Sequence, residues 1–212
     1  MRTLTSALAL AAVLLTAACA GGGANGASGG AADVRTGGGS PWRGTALDHT
    51  HPLPDERFTD TEGKPFVPAE DADTPVTLVF FGYTYCPDVC NIVLANVASA
   101  LRGASPDTRA KTQLLFVSTD PARDTPATVR DYLDRFDPAY AGLVAPVETV
   151  EQAASSLHIS YERPDGTRGG DYLVQHGAYT TAFVNGKARV VWAEDTSVAD
   201  LRADLERLAR IA

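Results

Sequence analysis

The chain has 212 residues, of which 44% are hydrophobic and 21% charged, a balance ordinary for a globular domain and incompatible with wholesale disorder. A formal net charge of −8 excludes the basic footprint of a generic nucleic-acid binder and argues against a polybasic membrane contact. The sole methionine is Met1, which excludes a methionine-rich metal site.

Residues 1–18 place Arg2 before an apolar run that reaches Leu15, the layout of a secretory signal peptide. The run is too short for a comfortable membrane span, which takes about 20 residues. The cysteine after Thr16-Ala17-Ala18 resembles a bacterial lipoprotein box, although Thr16 stands where Leu is usual. On that reading Cys19 becomes the lipidated first residue of the mature chain. Residues 19–40 then form a tether with nine glycines between positions 21 and 39, unable to bury enough apolar surface to offset its ordering entropy. Its r.m.s. reach is roughly 25 Å. The folded domain is expected over residues 41–212, outside the cytoplasm, anchored to the cell membrane and monomeric.

Within the domain, ERFTDTEGKPFVP reads as a short hairpin turning at Glu62-Gly63-Lys64. VTLVFFGY (76–83) is β-branched and aromatic without polar alternation, so it predicts a strand covered on both faces. The stretch 86–103 spaces Val89, Ile92, Val93, Val97 and Leu101 helically and closes at Gly103. A second buried strand is expected at 112–119, a helix from Thr125-Pro126 to Phe136 and another at 148–159. Two strand-like runs joined by Asn185-Gly186 predict a hairpin. The last helix places Leu201, Leu205, Leu208 and Ile211 on one face, with Ser197 as N-cap. This order predicts an α/β fold: a thioredoxin-like mixed sheet flanked by helices, with an N-terminal hairpin extension.

Cys86 and Cys90 are then the only thiols of the domain. They sit where a buried strand gives way to a helix, the usual place for chemistry in such sheets. A helix N-terminus favours thiolates, and two sulfurs one turn apart can grip one soft metal ion or close into a disulfide. A staple disulfide is the weaker reading, because so short a loop stabilises little. Of the four histidines, His49 and His51 lie in DHTHPLP and read as solvated loop, with an ancillary metal site as the alternative. His158 closes a helix, where a cation suits the dipole. His176 follows a glycine-rich loop that such a fold brings beside the cysteines. Asp88 complements the helix N-terminus, and Asp120 and Asp124 are expected to satisfy backbone amides after the second strand.

FFGYTYCPDVC (80–90), VSTDPARDTP (117–126) and YLVQHGAYTTAF (172–183) resemble, in order and separation, the three signature blocks of the Sco/SenC family. The likeness covers about residues 53–212. It implies a membrane-anchored thioredoxin-like domain that binds copper through Cys86, Cys90 and His176. It also implies a metallochaperone's role, with copper delivered to the dinuclear centre of cytochrome c oxidase subunit II. Asn91 stands where the family commonly has Pro, and Gln175 where it often has Asp. Both changes leave the ligand set intact. Cu(I) is soft and suits two thiolates with one neutral imidazole. The alternative for the same pair is a redox-active disulfide, a thiol–disulfide reductase that keeps the acceptor's cysteines reduced. A copper sensor or scavenger without a client is the third reading.

Overall fold

The absence of polar alternation in VTLVFFG follows from its place: all seven residues are buried in the middle of the sheet. The computed structural model describes residues 40–162 and 173–212. In chain order it contains β1 (Thr45–Ala46), β2 (Phe58–Asp60), β3 (Pro65–Phe66), α1 (Pro68–Asp71), β4 (Val76–Gly82), α2 (Val89–Gly103), α3 (Pro106–Ala110) and β5 (Thr112–Ser118). These are followed by α4 (Pro126–Leu133), β6 (Ala141–Val144), α5 (Val147–Ser156), β7 (Tyr161–Glu162), β8 (Gln175–His176), β9 (Thr180–Val184), β10 (Lys187–Trp192) and α6 (Val198–Ile211). The predicted signal peptide, Cys19, the tether and the loop carrying Gly166, Gly169 and Gly170 lie outside the described residues. Among the described residues no helix is long and apolar enough to cross a membrane.

Eight strands form one mixed sheet in the order β1-β10-β9-β4-β5-β6-β2-β3. β4, β5 and β6 run parallel; β9 pairs antiparallel with β4, and β10 pairs antiparallel with β9 as the other arm of a hairpin. This is the thioredoxin-like arrangement that the element order predicts. The N-terminal hairpin β2–β3 extends the sheet beyond β6. Asn185 (φ 49°) and Gly186 (φ 75°) turn the other hairpin, as an Asn-Gly pair does when both central residues need positive φ.

Side chains alternate across β4 and so divide the core. Leu78 and Phe80 join a cluster with α2, α4 and α6, including Leu94, Val97, Tyr132, Leu205 and Trp192. Val79 and Phe81 join a second cluster on the other face, with Leu53, Val150, Ala153, Ala154 and Ile159. Each buried aliphatic or aromatic side chain contributes about 1.5–3 kcal/mol, so β4 and β5 hold both layers. The two cysteines belong to the first cluster.

Several boundaries differ from the sequence-based expectation. The long helix begins at Val89, not Cys86, because residues 83–86 close a turn in which the Cys86 amide donates to the Tyr83 carbonyl at 3.2 Å. The fourth helix ends at Leu133 rather than Phe136. β6 was not anticipated, since four residues, AGLV, are too few to show a period.

Candidate metal centre

The two sulfurs meet where β4 ends. Cys86 lies in the turn before α2, and Cys90 is the second residue of the helix. They are therefore not stacked on a helix face as the spacing suggested. Instead the Cys90 amide, one of the helix's unpaired N-terminal donors, donates to Cys86 Sγ at 3.4 Å. The side chains are hydrogen-bonded to each other, and the backbone of Tyr83 also contacts the Cys90 sulfur. Both residues stand as thiols without a disulfide. Cys90 is fully buried, and Cys86 shows a 6% edge to solvent.

This arrangement acts on protonation. The hydrogen bond to Cys86, then burial, then the charge of Cys86 push the Cys90 thiol well above the ordinary range. A bound ion is therefore needed to ionise both sulfurs together.

Gly82 sits directly behind the pair. A Cβ there would lie 3.2 Å from Cys90 Sγ and 2.9 Å from the rings of Phe80 and Phe116, closer than packed atoms tolerate. The strand end thus needs glycine so that the sulfur can approach the backbone.

A buried polar layer holds the turn. Asp124 accepts hydrogen bonds from the Thr84 amide (3.1 Å), the Thr84 hydroxyl (2.5 Å) and the Ser118 hydroxyl (2.6 Å). Burial nevertheless raises its pKa. Asp124 therefore serves the cysteine loop, not only its own loop as expected. Asp120 is fully buried and pairs with Arg123. The Arg123 guanidinium lies over the rings of Tyr85 (4.8 Å) and Tyr83 (5.8 Å). Asp88 is exposed at the N-cap position and makes no side-chain capping bond.

Two further residues escaped the sequence reading. Asn91 donates through Nδ2 to the Cys86 carbonyl at 3.4 Å and accepts from the Tyr132 hydroxyl at 3.1 Å, linking the cysteine turn to α4. Tyr83 is buried, and its hydroxyl is hydrogen-bonded to the backbone of Val174. The only sequence signal for Asn91 was its departure from Pro at that position.

The third expected ligand stands on β8, where His176 pairs with Tyr161 of β7. Its side chain is not among the described ones, and neither is that of Gln175. The backbone on either side is anchored in the core: Val174 and Ala178 belong to the cluster that also contains Cys86 and Cys90. The partner strand is tied in as well, by the Tyr161 hydroxyl donating to the Thr119 carbonyl at 2.8 Å. Among the described residues no three His, Cys, Asp or Glu side chains converge. The donors that do meet are two thiols, soft ligands suited to Cu(I).

Large exposed hydrophobic side chains concentrate on the same segments. Tyr85 and Leu173 are 59% exposed, Tyr179 49% and Ile92 48%. Tyr85 adjoins Cys86, Ile92 lies in the first turn of α2, and Leu173 and Tyr179 flank the β8 segment.

A family model described as SCO1/SenC matches residues 50–210. The mitochondrial protein SCO2 of Saccharomyces cerevisiae is 34% identical over 123 residues, 58% of this chain and 40% of that protein. The match thus spans less than half of that relative. The solution structure of apo Sco1 from Thermus thermophilus is 32% identical with a TM-score of 0.71, covering 81% of this chain and 99% of that one. The structure of Bradyrhizobium japonicum ScoI with copper bound is 32% identical with a TM-score of 0.63, covering 72% and 96%.

Proposed function

The chain belongs to the SCO1/SenC family, and from that premise we propose that its domain takes up one copper ion through Cys86, Cys90 and His176 and delivers it to the dinuclear copper centre of cytochrome c oxidase subunit II. The observation that carries this reading is the contact of two buried thiols at the head of α2; the segment that carries His176 is flanked by Val174 and Ala178 of the same core cluster. The Bradyrhizobium relative, solved with copper bound, supports the choice of metal. Two thiolates and an imidazole leave copper short of four ligands, so an incoming cysteine or histidine of the client can bind before the outgoing one leaves. The exposed Tyr85, Leu173 and Tyr179 offer the client an apolar contact around that exchange. Cys19, lipidated, would hold the monomeric domain on the extracytoplasmic face of the cell membrane, where the client is assembled.

Titration of the reduced chain with Cu(I) tests this. One ion per chain is expected, with loss of high-affinity binding in Cys86→Ser. Retention of full affinity in that variant would refute it.

A second reading is that the same pair reduces a disulfide in the client. The hydrogen-bonded thiols favour it, because the Cys86 thiolate can attack and Cys90 can resolve the mixed disulfide. The Cys86–Cys90 potential separates the readings: a pair more oxidising than the client's disulfide cannot donate electrons to it.

A further inference from the structure

The second cluster of metal-ligating side chains lies away from the cysteines. His51 and His158 come from distant parts of the chain, and their rings meet edge to face, with centroids 4.8 Å apart and planes at 78°. His51 is half-buried, while His49 is exposed. The His51 carbonyl accepts from the Ala188 amide at 2.8 Å, and Pro52 bridges to Lys187, so its backbone is fixed to the sheet.

His158 does not close α5 as a helical residue. The His158 amide donates to Ser155 O (3.0 Å) and the Ile159 amide to Ala154 O (2.9 Å), the two bonds of a Schellman motif with His158 at C′. Its φ is 55°, a left-handed conformation for which glycine is the usual residue. A residue with a Cβ there costs roughly 1–2 kcal/mol. A strained position points from geometry to use, and here the strain aims one imidazole at another.

We propose that His51 and His158 form a second metal site, a two-imidazole site for a divalent borderline ion, with Cu(II) bound more tightly than Zn(II). With metal–nitrogen bonds of about 2.0 Å, two imidazoles at neighbouring positions of one ion have centroids roughly 4.5–5 Å apart. The observed separation of 4.8 Å lies in that range. Each ring has a broad χ2 torsion, so binding would turn the rings out of their edge-to-face contact until one nitrogen of each faces the ion. Among the described residues no third His, Cys, Asp or Glu converges, so water completes the coordination and the ion exchanges readily. Nitrogen and water ligands suit Cu(II) and Zn(II), while Cu(I) prefers the sulfurs. Leu53 and Ile159, two residues and one residue beyond these histidines, pack into the core cluster on the other face of the sheet from the cysteines. The site is therefore distinct from the proposed thiolate centre and does not depend on it.

The test uses the full-length chain carrying Cys86→Ser and Cys90→Ser, titrated with Cu(II) alone and followed by calorimetry and electron paramagnetic resonance. One Cu(II) with hyperfine splitting from two imidazole nitrogens is expected. His51→Gln and His158→Gly should each weaken it by about tenfold or more, and His49→Gln should leave it unchanged. His158→Gly suits the left-handed backbone, so its thermal midpoint should hold or rise, and lost binding cannot then be lost folding. Unchanged affinity in either variant, or loss of the signal with His49→Gln instead, would overturn the site.

Discussion

Asp204 and Asp124 are both buried carboxylates, yet they hold different kinds of structure. Asp204, on α6, accepts from three N–H donors: the backbone amides of Arg43 and Gly44 and the Trp192 indole, each at 2.9 Å at its shortest. It fastens the start of the domain to β10 and the last helix. Asp124 accepts from one amide and two hydroxyls, and it seats the turn that carries Cys86. Amide and indole donors point in fixed directions, whereas hydroxyls rotate and can also accept. The same buried charge therefore makes a fixed clamp at one place and an adjustable seat at the other. The adjustable one underlies the residue whose sulfur changes partners in the proposed copper transfer.

Substitution has its largest expected effect at the clamp. Asp204→Ala leaves the buried Trp192 indole and two part-buried amides unpaired and should destabilise the domain by about 3–4 kcal/mol, read by chemical denaturation. Asp204→Asn should recover only part of the loss: its oxygen can still accept from the Gly44 amide and the Trp192 indole, but its amide then faces the Arg43 N–H, which cannot accept. Asp124→Ala should cost about 2–3 kcal/mol and speed alkylation of Cys86 in the native state. Asp124→Asn should recover most of that loss, because the Thr84 and Ser118 hydroxyls can turn to accept from the new amide. Equal recovery by Asn at both sites would dissolve the distinction.

Protonation sharpens it further. The Cys90 thiol has its pKa raised in the fold, so the unfolded chain loses that proton first as pH rises. The stabilisation is complete below the unfolded value and is lost above it. The reduced, metal-free chain should therefore lose about 1.4 kcal/mol per pH unit above roughly pH 9 from this group alone. Cys90→Ser should flatten that part of the profile when stability is measured against pH. The smallest effect is expected at Asn91→Ala, which removes two long hydrogen bonds between the cysteine turn and α4. It should cost about 1 kcal/mol and leave Cu(I) stoichiometry unchanged.

The legible parts of the chain were those where local pattern and burial coincide. β4 and β5 could be read because an unbroken apolar run has nowhere to go but a doubly covered sheet. The β9–β10 hairpin announced itself through Asn185-Gly186. The cysteine pair could be placed at the strand–helix junction, but its geometry could not. The turn at residues 83–86 is stabilised by Asp124, 40 positions from Thr84, and nothing within the cysteine motif itself reveals that contact. Tyr132 reaches Asn91 across 41 positions, and His158 meets His51 across the fold. Such contacts belong to packing, not to period. His158 was misplaced for a local reason as well: helical spacing alone does not show where a helix gives way to a left-handed residue.

In the proposed function both sulfurs and the imidazole of residue 176 hold one copper ion. X-ray absorption of the reduced, Cu(I)-loaded chain tests it most directly. A first shell of two sulfurs and one nitrogen is expected, with the nitrogen lost in His176→Ala. A shell of sulfur alone, identical in the parent chain and in His176→Ala, would contradict it.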